Sequence, residues 1–300
     1  MRVARAPEEL GPGPRAVAVG TFDGVHTGHG AVVAAARATG LPTAVVTFDP
    51  QPRSVAGGEE LPLLCSLERR LELLADLGVG EALVVGFDAE VAALEPSAFV
   101  DRYVRPLGAE AVAAGEGYRF GRDRAGDLDT LAALGLAVVR VPPVAGVSSS
   151  RIRNLVAAGE VEAAAQPLGR PVEIEGTVVG GDARGAGLGF PTANLDPPPG
   201  VLVPRLGIYA GAALGVRAAV SVGTNPTYGV GELRIEAYLL DFEGDLYGRR
   251  LVVELWRRLR EERAFASEAE LVEQIARDVA ETREATPPVR AKGFGHFRHL

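Results

Sequence analysis

The chain carries one cysteine, Cys65, in 300 residues, and a single thiol excludes an intramolecular disulfide framework. Its expected place is a core. No stretch approaches the roughly 20 apolar residues of a membrane span. The opening residues Met1–Glu9 lack the apolar segment of a signal peptide, so the expected location is the cytoplasm. Positive charge is in deficit. With 31 Lys and Arg against 39 Asp and Glu the net charge is −8, which argues against a general nucleic-acid or membrane surface and leaves only local basic pockets. Lys292 is the sole lysine, so arginine supplies nearly every fixed positive charge. Nothing in the composition calls for an obligate protein partner. Histidine is limited to four residues, yet two of them, His26 and His29, fall three positions apart.

A hydrophobic content of 47% over this length suits one large core or two ordinary ones, and domain-size statistics favour two. Through about residue 168, short β-like runs alternate with helical patterns, as in an α/β domain built on a parallel sheet. Strands are predicted at Ala16–Val19, Thr43–Phe48, Ala82–Val85, Ala111–Ala114 and Ala137–Val141. Helices are predicted from Ala31 to Ala38, from Leu67 to Leu77 with Ser66 as cap and Gly78 as stop, and from Ser97 to Val104. Near Gly169-Arg170-Pro171 the texture changes to β-like runs broken by Gly and Pro. The expected boundary therefore lies between 168 and 169. Residues 169–300 offer strands at Val172–Val179, Gly207–Ala212, Ala218–Val222, Arg234–Leu240 and Leu251–Leu255, which together suggest a small closed or nearly closed β-barrel. A helix over Glu268–Thr282 follows, with Leu271, Ile275 and Val279 spaced to pack one face on that barrel.

The segment Gly20-Thr21-Phe22-Asp23-Gly24-Val25-His26-Thr27-Gly28-His29 lies where the first strand runs into its helix. A helix beginning near Gly28 presents unpaired N–H groups and a positive dipole end to an anion. Imidazole N–H groups beside it can steady a phosphate that gains charge during displacement. Transition-metal ligation is a rival reading, although no further His or Cys in this half is placed to complete a ligand set, and a structural pair is another. Farther on, Val147-Ser148-Ser149-Ser150-Arg151-Ile152-Arg153 precedes an apolar helical run, so the serines can cap a helix while an arginine neutralises phosphate charge. Capping alone would also explain them.

In the second half, Gly176 to Gly189 is dense enough in glycine to form a backbone cradle for phosphates, though no Gly-Lys-Ser/Thr follows and a P-loop is excluded. Phe190-Pro191-Thr192-Ala193-Asn194 then places a hydroxyl and an amide two residues apart, hence on one face if extended. Both are hard oxygen donors suited to Mg²⁺ and its phosphates. Glu236, between Ile235 and Ala237 in a predicted strand, points away from both. It is either an ordinary outward glutamate or a base for an attacking alcohol.

Together these segments resemble the bacterial bifunctional riboflavin kinase/FAD synthetases over nearly the whole chain. The Gly20–His29 loop and Ser148–Arg153 are similar to the motifs of the family's nucleotidyltransferase half. The glycine loop with Phe190–Asn194, then Gly207-Ile208-Tyr209, Val222–Thr227, Ile235-Glu236, Leu246-Tyr247-Gly248 and Leu259-Arg260-Glu261, follow its kinase half in order. The resemblance implies a nucleotidyltransferase-like domain ahead of a riboflavin-kinase-like barrel, with Mg²⁺, ATP as co-substrate, and flavin as substrate and product. By the same resemblance His26 and His29 act on the α-phosphate, and Glu236 is the kinase base. Gly20, Phe22, Asp23, Gly24, Ser149, Ser150, Arg151 and Arg153 serve one nucleotide. Gly180, Gly185, Gly189, Pro191, Thr192 and Asn194 serve the other, the last two with the metal. Phe48, Pro50, Arg119, Phe120 and Arg260 fall on the flavin side. Gln51 replaces a usual His, Gly117 stands for an Asp or Asn, and Tyr118 for a Phe. Those exchanges leave two alternatives open: a riboflavin kinase whose first domain is retired or altered, and a flavin- or nucleotide-binding regulator without turnover.

Overall fold

A computed structural model describes residues 1–52, 61–181, 188–225 and 232–294. They form two compact units. One comprises Met1–Ser149 with Gly293 and Phe294, the other Ser150–Lys292.

The first unit is built on six parallel strands, β1 (Arg2–Ala4), β2 (Arg15–Val19), β3 (Thr43–Phe48), β4 (Glu81–Val85), β5 (Ala109–Gly115) and β6 (Ala137–Val141), in the order β1-β4-β3-β2-β5-β6. Every residue of β2 and β3 is buried, as strands covered on both faces require. Its helices are α1 (Pro7–Leu10), α2 (Thr27–Arg37), α3 (Leu67–Asp76), α4 (Ala89–Ala92), α5 (Pro96–Tyr103) and α6 (Leu128–Ala133). Ser66 caps α3 by accepting the Arg69 N–H at 3.1 Å, and Gly78 leaves it with φ +85°. The chain runs outward from β2 through β3 to β4, then returns to the other side of β2 for β5 and β6. That reversal makes the carboxyl end of β2 the topological switch point, where open parallel sheets bind ligands.

The second unit is a closed antiparallel barrel of β7 (Val172–Val179), β8 (Ala193–Asp196), β9 (Gly207–Ala213), β10 (Val216–Asn225), β11 (Glu232–Leu239) and β12 (Arg250–Arg260), ordered β10-β11-β8-β7-β12-β9. Two helices precede it, α7 (Ser149–Ala158) and α8 (Val161–Leu168), and α8 packs on β7 and β12. The compact units thus part earlier than the change of sequence texture at 168/169, and α8 packs on the barrel while still reading as helix.

One expectation needs correction. In α9 (Glu268–Glu284) the fully buried positions are the polar Gln274, Asp278 and Thr282, while Leu271, Ile275 and Val279 are only half-buried. The polar row is satisfied. Gln274 donates to Asp278 at 2.9 Å, Thr282 Oγ1 back-bonds to the Asp278 carbonyl at 2.8 Å, and Asp278 takes a guanidinium from the barrel. Hydrogen bonding offsets the desolvation that would otherwise forbid burying that face.

Candidate functional sites

The loop between β2 and α2 is tightly constrained. Phe22 and Val25 both adopt left-handed backbone, at φ +51° and +38°, and both are buried. Such conformations persist only where surroundings over-determine them. Between them, Gly24 has φ +75°, and a Cβ there would lie 2.8 Å from Leu64 Cδ1. Asp23, 1% exposed, accepts the Leu64 N–H at 2.9 Å, while its carbonyl accepts Ser149 Oγ at 3.2 Å. The two motifs of the nucleotidyltransferase reading thereby meet at Asp23 and Ser149. The helix starts at Thr27, one residue before the expected Gly28, because His26 itself is the N-cap: its Nδ1 accepts the His29 N–H at 3.3 Å. A neutral ring accepting at Nδ1 carries its proton on Nε2, which makes that atom a donor. The two imidazoles stack with centroids 3.6 Å apart and planes 11° from parallel, and Phe22 meets His29 edge-on at 5.3 Å.

At the loops expected to face the flavin, the aromatic residues are members of the core. Phe48 and Phe120 are buried and both lean on Phe99, at 6.1 and 5.7 Å, and Tyr118 stacks on Phe120 at 5.6 Å. Burial pushes the Tyr118 phenol well above its usual value, against the pull of Arg124, so the ring stays neutral. Pro50 and Arg119 are exposed, and Arg119 lies 3.8 Å from Asp127. A buried arginine supports this loop and was not read from the sequence: Arg70 of α3, 1% exposed, donates Nη1 to the Phe48 carbonyl at 2.9 Å.

The barrel site lies on the outer face of β10, β11 and β8. Ile235 and Ala237 fill the interior, which turns Glu236 outward into a cavity of about 360 Å³ also lined by Thr192 and Arg260. Register places Asn194 of β8 directly opposite Glu236. Gly181 permits a close approach, since a Cβ there would fall 2.3 Å from the Asn194 amide. Arg260 does not reach into the cavity unsupported. Asp278 holds it with contacts of 3.0 and 3.1 Å to Nε and 2.7 Å to Nη2, and Phe265 lies 5.8 Å below the guanidinium. Asp278 escaped the sequence reading because its partner is set by which face of α9 turns inward. The only available signal was the polar spacing Gln274, Asp278, Thr282.

Ser150, Arg151 and Arg153 begin the second compact unit, with Arg151 exposed and Arg153 buried. Gly180 and Gly189 are exposed on either side of residues 182–187, which lie outside the described residues, and Pro191 is exposed at the entry to β8. Gly185 lies outside the described residues, as do Pro226, Thr227 and the histidines at 296 and 299. Among the described residues no three His, Cys, Asp or Glu side chains cluster as metal ligands, and no helix is long and apolar enough to cross a membrane. Hard oxygens at Thr192 and Asn194, next to a carboxylate, fit a divalent cation that phosphate oxygens also bind.

A histidine pair at a switch-point helix, followed by a barrel with a carboxylate facing an amide across one strand gap, defines a two-domain enzyme of nucleotidyl and phosphoryl transfer. Comparison with known proteins agrees in both halves. The FAD synthetase family profile matches residues 11–153, and the riboflavin kinase profile matches residues 168–286. A bifunctional riboflavin kinase/FMN adenylyltransferase of Listeria monocytogenes is 37% identical over 90% of this chain and 91% of its own length. The protein of that name from Escherichia coli K12 is 36% identical over 95% and 97%. A crystal structure from Streptococcus pneumoniae, described as a macrolide-efflux protein, shares the fold at a TM-score of 0.85 and 32% identity, over 95% of this chain and 99% of that one. The chain belongs to the bifunctional riboflavin kinase/FMN adenylyltransferase family.

Proposed function

We propose that the barrel transfers the γ-phosphoryl group of ATP to the 5′-hydroxyl of riboflavin, and that the parallel-sheet unit transfers AMP from a second ATP to the resulting FMN, releasing pyrophosphate and FAD. The observation that carries this reading is the outward Glu236, set in a cavity opposite Asn194. There its carboxylate accepts the proton of the attacking alcohol while Thr192 and Asn194 hold Mg²⁺ against the nucleotide phosphates. Magnesium supplies charge neutralisation at the transferred group. In the other unit His26 and His29 donate to the α-phosphate, with Gly20, Phe22, Gly24 and the Asp23–Ser149 link shaping the loop around the nucleotide. Ser150, Arg151 and Arg153 supply further donors to it, and Phe48, Pro50, Arg119 and Phe120 form its flavin side. Arg260, steadied by Asp278, serves the flavin in the kinase cavity. The functional boundary is taken at 168/169, a reading supported by a riboflavin kinase profile that starts at residue 168. The reading is that of a cytoplasmic enzyme of small molecules.

Incubating the purified chain with riboflavin, ATP and MgCl₂ and resolving the flavins is the direct test. FAD is the expected product, formed through FMN and abolished by excess chelator. FMN alone would retire the first site, and neither product would favour a non-catalytic binder.

A further inference from the structure

Four adjacent strands of the barrel place one residue each in a single cross-strand row. Ile208 of β9 lies opposite Ser221 of β10, Ser221 opposite Glu236 of β11, and Glu236 opposite Asn194 of β8. Residues paired in this way share a face, and here it is the outer face, with Ile208, Ser221 and Glu236 all lining the cavity. At about 4.8 Å per strand gap the row spans roughly 14 Å. Its chemistry is graded. An amide at one end is followed by a carboxylate, then a hydroxyl, then an apolar side chain.

Ser221 is the unassigned member. It is half-buried, and its hydroxyl makes no hydrogen bond among the described residues. Its neighbours on the same face of β10, Ala219 and Gly223, carry no polar side chain, and the strand's other hydroxyl at the cavity, Thr224, lies three residues farther along and outside the Ile208–Ser221–Glu236–Asn194 row. A hydroxyl unused by the protein, beside the group that receives the substrate's proton, is placed to meet the substrate instead.

We propose that Ser221 is a specificity-determining contact of the kinase step, hydrogen-bonding the secondary hydroxyl next to the primary alcohol that is phosphorylated. This rests on the kinase reading of the cavity. The order of the row then matches a ligand with a reacting alcohol at Glu236, a polyol chain at Ser221 and a flat apolar ring toward Ile208. A site that hydrogen-bonds a substrate hydroxyl discriminates against the analogue lacking it, because its own polar group is left unpaired.

The test is a two-by-two comparison of wild type and Ser221→Ala on riboflavin and on 4′-deoxyriboflavin, following FMN-type product with ATP and Mg²⁺. Wild type is expected to prefer riboflavin by about tenfold in kcat/KM, and Ser221→Ala to lose about tenfold on riboflavin while barely changing on the deoxy analogue. Ser221→Thr, which keeps the hydroxyl, should retain the preference. Retained turnover of 4′-deoxyriboflavin by the variants reports that the barrel is folded. Equal losses on both substrates, no loss on either, or loss of the preference in Ser221→Thr would each overturn the proposal. A wild type that makes no FMN would instead overturn the kinase reading beneath it.

Discussion

Two side chains separate the two chemistries. Replacing His29 with Ala removes a donor at the switch-point helix, and we expect conversion of supplied FMN to FAD to fall by about 10²–10³-fold while riboflavin phosphorylation stays within a factor of two. Replacing Glu236 with Gln keeps the shape of the cavity and removes the proposed base, so FMN formation should fall by about 10²–10⁴-fold with FAD synthesis from supplied FMN intact. Product-resolved assays of both variants check the pair. The histidines stand out in the sequence for a physical reason, since histidine is scarce and two lie at one strand-to-helix turn, whereas Glu236 by alternation alone reads as an ordinary outward glutamate and owes its candidacy to the family resemblance. Arg70, Ser221 and Asp278 were not legible. Each owes its position to a partner distant in sequence, through a carbonyl at the end of β3, a β-ladder register and the inward face of α9.

Elements carry the next layer. Asp278 is buried and grips Arg260, so Asp278→Ala leaves a half-buried guanidinium without its carboxylate; we expect a loss of about 3 kcal/mol in barrel stability, read by denaturant unfolding, and a raised KM for riboflavin with adenylylation unaffected. Asp127 tests a cap. It accepts the Thr130 N–H and hydroxyl, each at 3.0 Å, at the start of α6, and those bonds, the backbone one first, hold its carboxyl below the ordinary carboxylate range. A lowered folded-state pKa gives stability that is complete above the unfolded value of about 3.9 and fades as pH falls through the folded value. The stability gap between wild type and Asp127→Ala should therefore be constant at neutral and mildly acidic pH and close only below about pH 4. At this scale the strands that periodicity could reach were placed within three residues, apart from β12, which runs five residues beyond the predicted Leu255, and Thr43–Phe48, Ala137–Val141 and Val172–Val179 were placed in full. The three-residue β1 and four-residue β8 offer too few positions for any period to show, and β8 is recognisable only by the pairing that carries Asn194 to Glu236.

For the whole molecule, the question is how FMN passes between two activities whose central groups belong to separate compact units. His26 and His29 lie wholly within the first, and Thr192, Asn194 and Glu236 wholly within the second. Each molecule carries both groups, so FMN released by one molecule should serve another as well as its maker. Mixing His29→Ala, expected to make FMN and stop, with Glu236→Gln, expected only to adenylylate, therefore ought to restore conversion of riboflavin to FAD. The time course should show a lag as free FMN accumulates, and the lag should shorten when FMN is added at the start or when total protein is raised. Obligatory transfer within one molecule predicts the opposite: FMN would build up in the mixture with no FAD, even though each variant alone retains its remaining activity at full rate.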